Sequence, residues 1–81
     1  FKRDIIFLKG VVVTVQISMK AARVNANMTQ KEAAIAFDVS VVTLRNWENG
    51  RSFPTIEKFL DIERVYGVNY DDIYFLPKNN A

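Results

Sequence analysis

Residues 29–50 read TQKEAAIAFDVSVVTLRNWENG, and the stretch carries its own punctuation. Thr29 followed three residues later by Glu32 is a capping box: the hydroxyl can accept the amide of residue 32 while the carboxylate reaches back. Behind this start, Ala33, Ala34 and Phe37 fall on one side of a helix, and two small alanines let another helix approach closely. Asp38 stands where the chain must turn, Val39 is apolar, and Ser40 is the next helix cap. The spacing predicts one helix ending near 37 and a second running from Val41 to about Asn49, with Gly50 as its stop. On that second helix Leu44, Trp47 and Glu48 share a face at i, i+3 and i+4, which should point inward. Val41, Arg45 and Asn49 form a different row, with Val42 and Asn46 beside it. The only tryptophan is therefore expected in the core, fixing the angle at which Arg45 and Asn46 are presented. Its alternative, an exposed indole stacking on bases, suits single strands.

The pattern extends on both sides. Ser18 can cap a helix over about residues 19–26, whose apolar stripe is Met19, Ala22 and Ala26. Asn27 then tolerates the left-handed backbone that ends helices. Downstream, Pro54 breaks the chain and Thr55 caps a fourth helix, in which Ile56, Phe59, Leu60, Ile62 and Tyr66 read as the apolar side. Gly67 ends it. Asn69 can cap a short fifth helix with Asp71 and Asp72 in its first turn, where the dipole favours anions, and Ile73 and Leu76 would pack. Pro77 and the KNNA tail close the chain. Before all of this, IIFLKGVVVTVQI (residues 5–17) is rich in β-branched residues, with Gly10 as a break. It reads as two short strands that pair with each other, with a second copy, or with the domain surface. The organisation expected is a β-prone extension over 1–16, an all-α domain over 17–76 and a tail over 77–81.

Composition narrows the function classes. A length of 81 residues suits one small domain. The absence of cysteine and histidine removes disulfides, thiol catalysis, the usual zinc ligands and the commonest general base. No metal, cofactor or catalytic residue is expected: the carboxylates are spread over helix faces, and each glycine has a turn or cap to explain it. No apolar run reaches membrane-spanning length. Lys9, Gly10 and the lack of a small-residue cleavage site argue against a secretion signal, so a cytoplasmic protein is expected. The net charge is only +2, but it is uneven. Lys20, Arg23, Lys31, Arg45 and Arg51 make the middle basic, whereas Glu57, Asp61, Glu63, Asp71 and Asp72 make the end acidic. One side facing a polyanion is the functional reading; a normally solvated surface is the bland one.

Two helices joined by a tight turn, the first with a small alanine pair and the second capped, form the helix-turn-helix pattern. TQKEAAIAFDVSVVTLRNWENG resembles the Cro and lambda-repressor-like, XRE-type helix-turn-helix family. The resemblance runs from about Ile17 to Leu76 and includes TQxxAA, the VS before the recognition helix, the LxxWENG ending, and YGV with the aspartates after it. KAARVNA and FLP look like phage-type regulators. The resemblance implies five helices, with helix three in the major groove of double-stranded DNA. The residues placed at base edges are Ser40, Val41, Val42, Arg45 and Asn46. Asn46 would pair with adenine, Arg45 with guanine or phosphate, and the valines would touch thymine methyls. The other reading of Val41 and Val42 is core burial. Phosphate contacts fall to Gln30, Asn49, Arg51 and Ser52, with Lys20 and Lys31 as further candidates; each lysine is equally readable as a solvated charge. Arg23 and Glu48 match a family pair that forms a structural salt bridge between helices one and three.

The function implied is that of a small transcriptional regulator, a phage or prophage repressor or Cro-like protein, binding a palindromic operator as a homodimer. The dimer surface would be the aromatic end, Tyr70, Tyr74 and Phe75, or the leading strands. With the sequence closing soon after helix five, no sensor domain is expected to follow. The competing hypothesis is a protein-interaction module, an antitoxin or phage adaptor that keeps the fold and uses the outward valines.

Overall fold

The computed structural model describes residues 5–8, 11–14 and 16–75. Four helices follow a β hairpin: strands β1 (Ile5–Leu8) and β2 (Val11–Thr14), strand β3 (Ile17–Ser18), then α1 (Met19–Asn25), α2 (Gln30–Phe37), α3 (Val41–Glu48) and α4 (Ile56–Tyr66). A single 3-10 turn (Tyr70–Asp72) leads into strand β4 (Ile73–Tyr74). Strands β1 and β2 pair antiparallel, with Ile5 opposite Thr14 and Leu8 opposite Val11. Gly10, Leu76, Pro77 and the tail, all given roles by the sequence, lie outside the described residues.

Each helix begins on a side chain the sequence marks. The hydroxyls of Ser18, Thr29, Ser40 and Thr55 accept the backbone N–H of Ala21, Glu32, Thr43 and Lys58, satisfying amides that have no partner within their own helix. At α2 the box is complete, because Thr29 N–H also donates to Glu32 Oε1 at 2.9 Å. That backbone bond, with the bond from the Thr29 side chain, holds the Glu32 carboxyl below the ordinary carboxylate range. All four helix ends turn through left-handed backbone: Asn27 (φ 59°) after α1, Asp38 (φ 55°) after α2, Gly50 (φ 75°) after α3 and Gly67 (φ 68°) after α4. Only the two glycines do so without a Cβ penalty.

The core is one cluster drawn from all four helices. Met19, Ala22, Ala33, Ala34, Phe37, Leu44, Trp47, Ile62, Tyr66 and Ile73 are buried in it. Phe37 sits at its centre, edge-on to Tyr66 with ring centroids 5.1 Å apart and tilted against Trp47 at 6.3 Å. Ala33 and Ala34 are buried against this centre, which is the close approach their size permits.

The structure corrects the sequence reading in two places. The expected fifth helix is one 3-10 turn. After Asp72 the chain becomes extended, because Ile73 and Tyr74 pair in parallel with Ile17 and Ser18. β-branched and aromatic residues favour that pairing over another helical turn. On α4, Ile62 and Tyr66 are buried and Phe59 partly so, but Ile56 is 79% and Leu60 60% exposed. At 100° per residue Ile56 and Leu60 lie on the outward side of the face that Ile62 and Tyr66 centre. Its place is taken by Val65, packed on the core, and by Lys58, whose Nζ donates to the Phe37 carbonyl at 2.7 Å.

Candidate nucleic-acid interface

The tight turn between α2 and α3 follows from three residues. Asp38 takes the left-handed conformation, Val39 tucks against the core and returns its N–H to the Ala34 carbonyl at 3.0 Å, and Ser40 starts α3. The two helices are thus set at an angle with no spare chain between them.

The faces of α3 separate cleanly. Leu44, Trp47 and Glu48 are buried, whereas Val42 and Arg45 are exposed and Asn46 is half-exposed. The valine pair divides: Val41 packs partly on the core, while Val42 is 61% exposed. The Ser40 hydroxyl accepts the Thr43 amide and donates to Thr43 Oγ1, both at 3.0 Å, so its first task is capping. At the far end Asn49 is exposed, and the Asn46 carbonyl accepts the Arg51 N–H at 2.9 Å. This folds the loop back on the helix and places exposed Arg51 and half-exposed Ser52 beside its C-terminus. Lys20 on α1 and Lys31 on α2 are both exposed.

Beneath this surface lies a buried polar cluster. Arg23 Nε donates to Glu48 Oε2 at 2.7 Å, and Arg23 Nη1 donates to the Met28 carbonyl at 3.0 Å. Gln30 Nε2 donates to Glu48 Oε1 at 3.1 Å. One carboxylate on α3 therefore gathers α1 and the first residue of α2. Its acceptor-only chemistry fixes which end of the Gln30 amide faces it. Gln30, a phosphate candidate by sequence, has its second amide hydrogen left for an outside acceptor. Tyr66 contributes a buried hydroxyl without a hydrogen-bond partner among the described residues; burial, then the nearby Glu48 carboxylate, raises its pKa, against the pull of Arg23. Sequence reasoning missed the Gln30–Glu48 bond, the nearness of Tyr66 to the Arg23–Glu48 pair and the Lys58 contact to α2. A lysine one turn into α4 carries no signal of which helix end it will meet.

Among the described residues no group of three acidic, histidine or cysteine side chains gathers as a metal site, and no helix is long and apolar enough to cross a membrane. The arrangement, two capped helices joined by a tight turn with the second presenting a polar outward face, is a helix-turn-helix. A family model described as helix-turn-helix matches residues 19–73, more than half of the chain, and the protein belongs to this Cro and lambda-repressor-like family. The family is one of DNA-binding regulators. No curated protein and no solved structure matches the chain.

Proposed function

We propose that the protein is a sequence-specific regulator of double-stranded DNA, a phage or prophage repressor or Cro-like protein acting in the cytoplasm as a homodimer on a palindromic operator. One observation carries the reading: α3 buries Leu44, Trp47 and Glu48 and leaves Val42, Arg45 and, in part, Asn46 on the outside. In a major groove Asn46 would pair with an adenine edge, Arg45 with guanine or a phosphate, and Val42 with thymine methyls, with Ser40 and Val41 at the helix entry. Gln30, Asn49, Arg51 and Ser52, with Lys20 and Lys31 at the margin, would hold the phosphates. Because one recognition helix reads few base pairs, two copies across a dyad are needed for a usable site.

Selection of bound sequences from a random duplex pool tests this directly. A symmetric consensus is expected, with affinity falling linearly in log–log form as salt rises, by a slope near the number of phosphates contacted. A flat enrichment profile refutes it. The exposed Val42 and Ile35 favour one second reading, a protein-interaction module; salt-insensitive binding to a protein with no duplex selected would support that instead.

A further inference from the structure

We infer that the outward face of α4, centred on Ile56 and Leu60, is the surface through which two copies of this chain meet about a two-fold axis. The inference rests on the homodimer reading above and adds the surface to it.

Ile56 and Leu60 are one turn apart, 79% and 60% exposed, and neither contributes to the core cluster. With Phe59 and Tyr70 they line an apolar cleft. Tyr70 packs tilted and Phe75 edge-on against Phe59, at 5.8 and 5.5 Å between ring centroids, so the cleft wall is a braced aromatic group and not a set of loose side chains. A helix that turns such a strip outward leaves unburied surface that association would remove from water.

Charge selects a second copy as the occupant. Glu57 and Arg64 are seven residues apart, two helical turns, and so lie on the same flank of the strip. Arg64 is exposed and bonds Asp61 at 2.9 Å. When two identical helices pack antiparallel about a two-fold axis lying between them, each flank faces its own counterpart. With the axis passing near Leu60, Glu57 meets Arg64 of the partner subunit, and the contact repeats by symmetry. A partner of one charge sign would meet repulsion at one of the two positions. The strip shares no residue with the outward set of α3, Val42 and Arg45, so pairing through it uses none of the proposed base readers.

Sedimentation equilibrium of the full chain tests the inference. The parent protein is expected to dimerise. Leu60→Glu should raise the dissociation constant by at least about tenfold, the effect of losing roughly 1.4 kcal/mol, with an unchanged circular dichroism spectrum because the side chain is exposed. Glu57→Arg and Arg64→Glu should each weaken association, and the double variant should restore it. A parent that stays monomeric, a Leu60→Glu variant that associates like the parent, or a double swap weaker than either single change would overturn the surface. Half-site binding should survive in Leu60→Glu. If the dimer responds as expected but no duplex is bound by parent or variant, the surface stands and the regulatory reading falls.

Discussion

Arg23 and Glu48 meet inside the domain, Nε to Oε2 at 2.7 Å, with side chains only 10% and 3% exposed. The pair joins α1 to α3 and does so where Gln30 also reaches the carboxylate. Desolvation offsets much of its attraction, so its main effect is to fix the setting of α3. Removing one member strands the other. Arg23→Ala is expected to lower unfolding free energy by about 3–5 kcal/mol. The Arg23→Met, Glu48→Leu double variant should recover much of that loss while binding DNA with altered specificity. Denaturant unfolding and duplex binding on the same proteins check both halves.

Base readers and phosphate holders should fail differently. Arg45→Ala and Asn46→Ala are each expected to lose about 1–3 kcal/mol of discrimination between the selected site and a mutated one. Arg51→Ala should weaken all duplexes alike and reduce the salt slope by about one. Titrations of matched and mismatched duplexes at several salt concentrations separate the two patterns.

Trp47→Ala should cost about 3–5 kcal/mol, the range for emptying a buried aromatic position. The indole is 5% exposed and touches the Phe37 ring system at the centre of the core. A melting temperature equal to the parent's would contradict its placement.

Tyr66 should make the fold sensitive to alkali. Its pKa is raised in the folded state by burial and by Glu48, so the neutral phenol is the form the fold accommodates. That contribution is complete below the ordinary tyrosine value of about 10 and is lost as pH climbs through and beyond it. Tyr66→Phe removes a hydroxyl that has no partner among the described residues. It is expected to match or exceed the parent's stability at neutral pH, by up to about 1 kcal/mol, and to flatten the fall in melting temperature above pH ~10.

Asp38→Gly tests the turn itself. Asp38 holds φ 55° and ψ 48°, where a Cβ is unwelcome. Glycine should raise stability by a few tenths to about 1 kcal/mol, its greater freedom in the unfolded chain cancelling part of the relief. Thermal melts of the two proteins at equal concentration decide it.

The four helices were legible because their signals are local. Ser18, Thr29, Ser40 and Thr55 each act on an amide three residues away, and such short-range chemistry survives in sequence. The inward set of Leu44, Trp47 and Glu48, and with it the exposure of Arg45, follows from helical period alone. The partner of Arg23 came from the family likeness, and its distance from Glu48 in the chain hides it from any periodic argument. The β3–β4 pairing was hidden for the same reason, since two-residue strands have no periodicity to read. Ile56 and Leu60 are legible as apolar but not as buried by composition alone, because they lie at a different angle around α4 from Ile62 and Tyr66. Which base each α3 side chain meets depends on how the duplex docks, a relation no single chain encodes.

The pairing of Ile17 with Ile73, reinforced by Gln16 Nε2 donating to the Asp71 carbonyl at 3.3 Å, has a kinetic consequence. It closes a ring around the entire helical bundle, and the entropy of such closure is recovered only after the helices have already docked. These short strands should therefore zip last during refolding and fray first in the native protein, so that amide protons of residues 17–18 and 73–74 exchange with deuterium well ahead of those of α2 and α3.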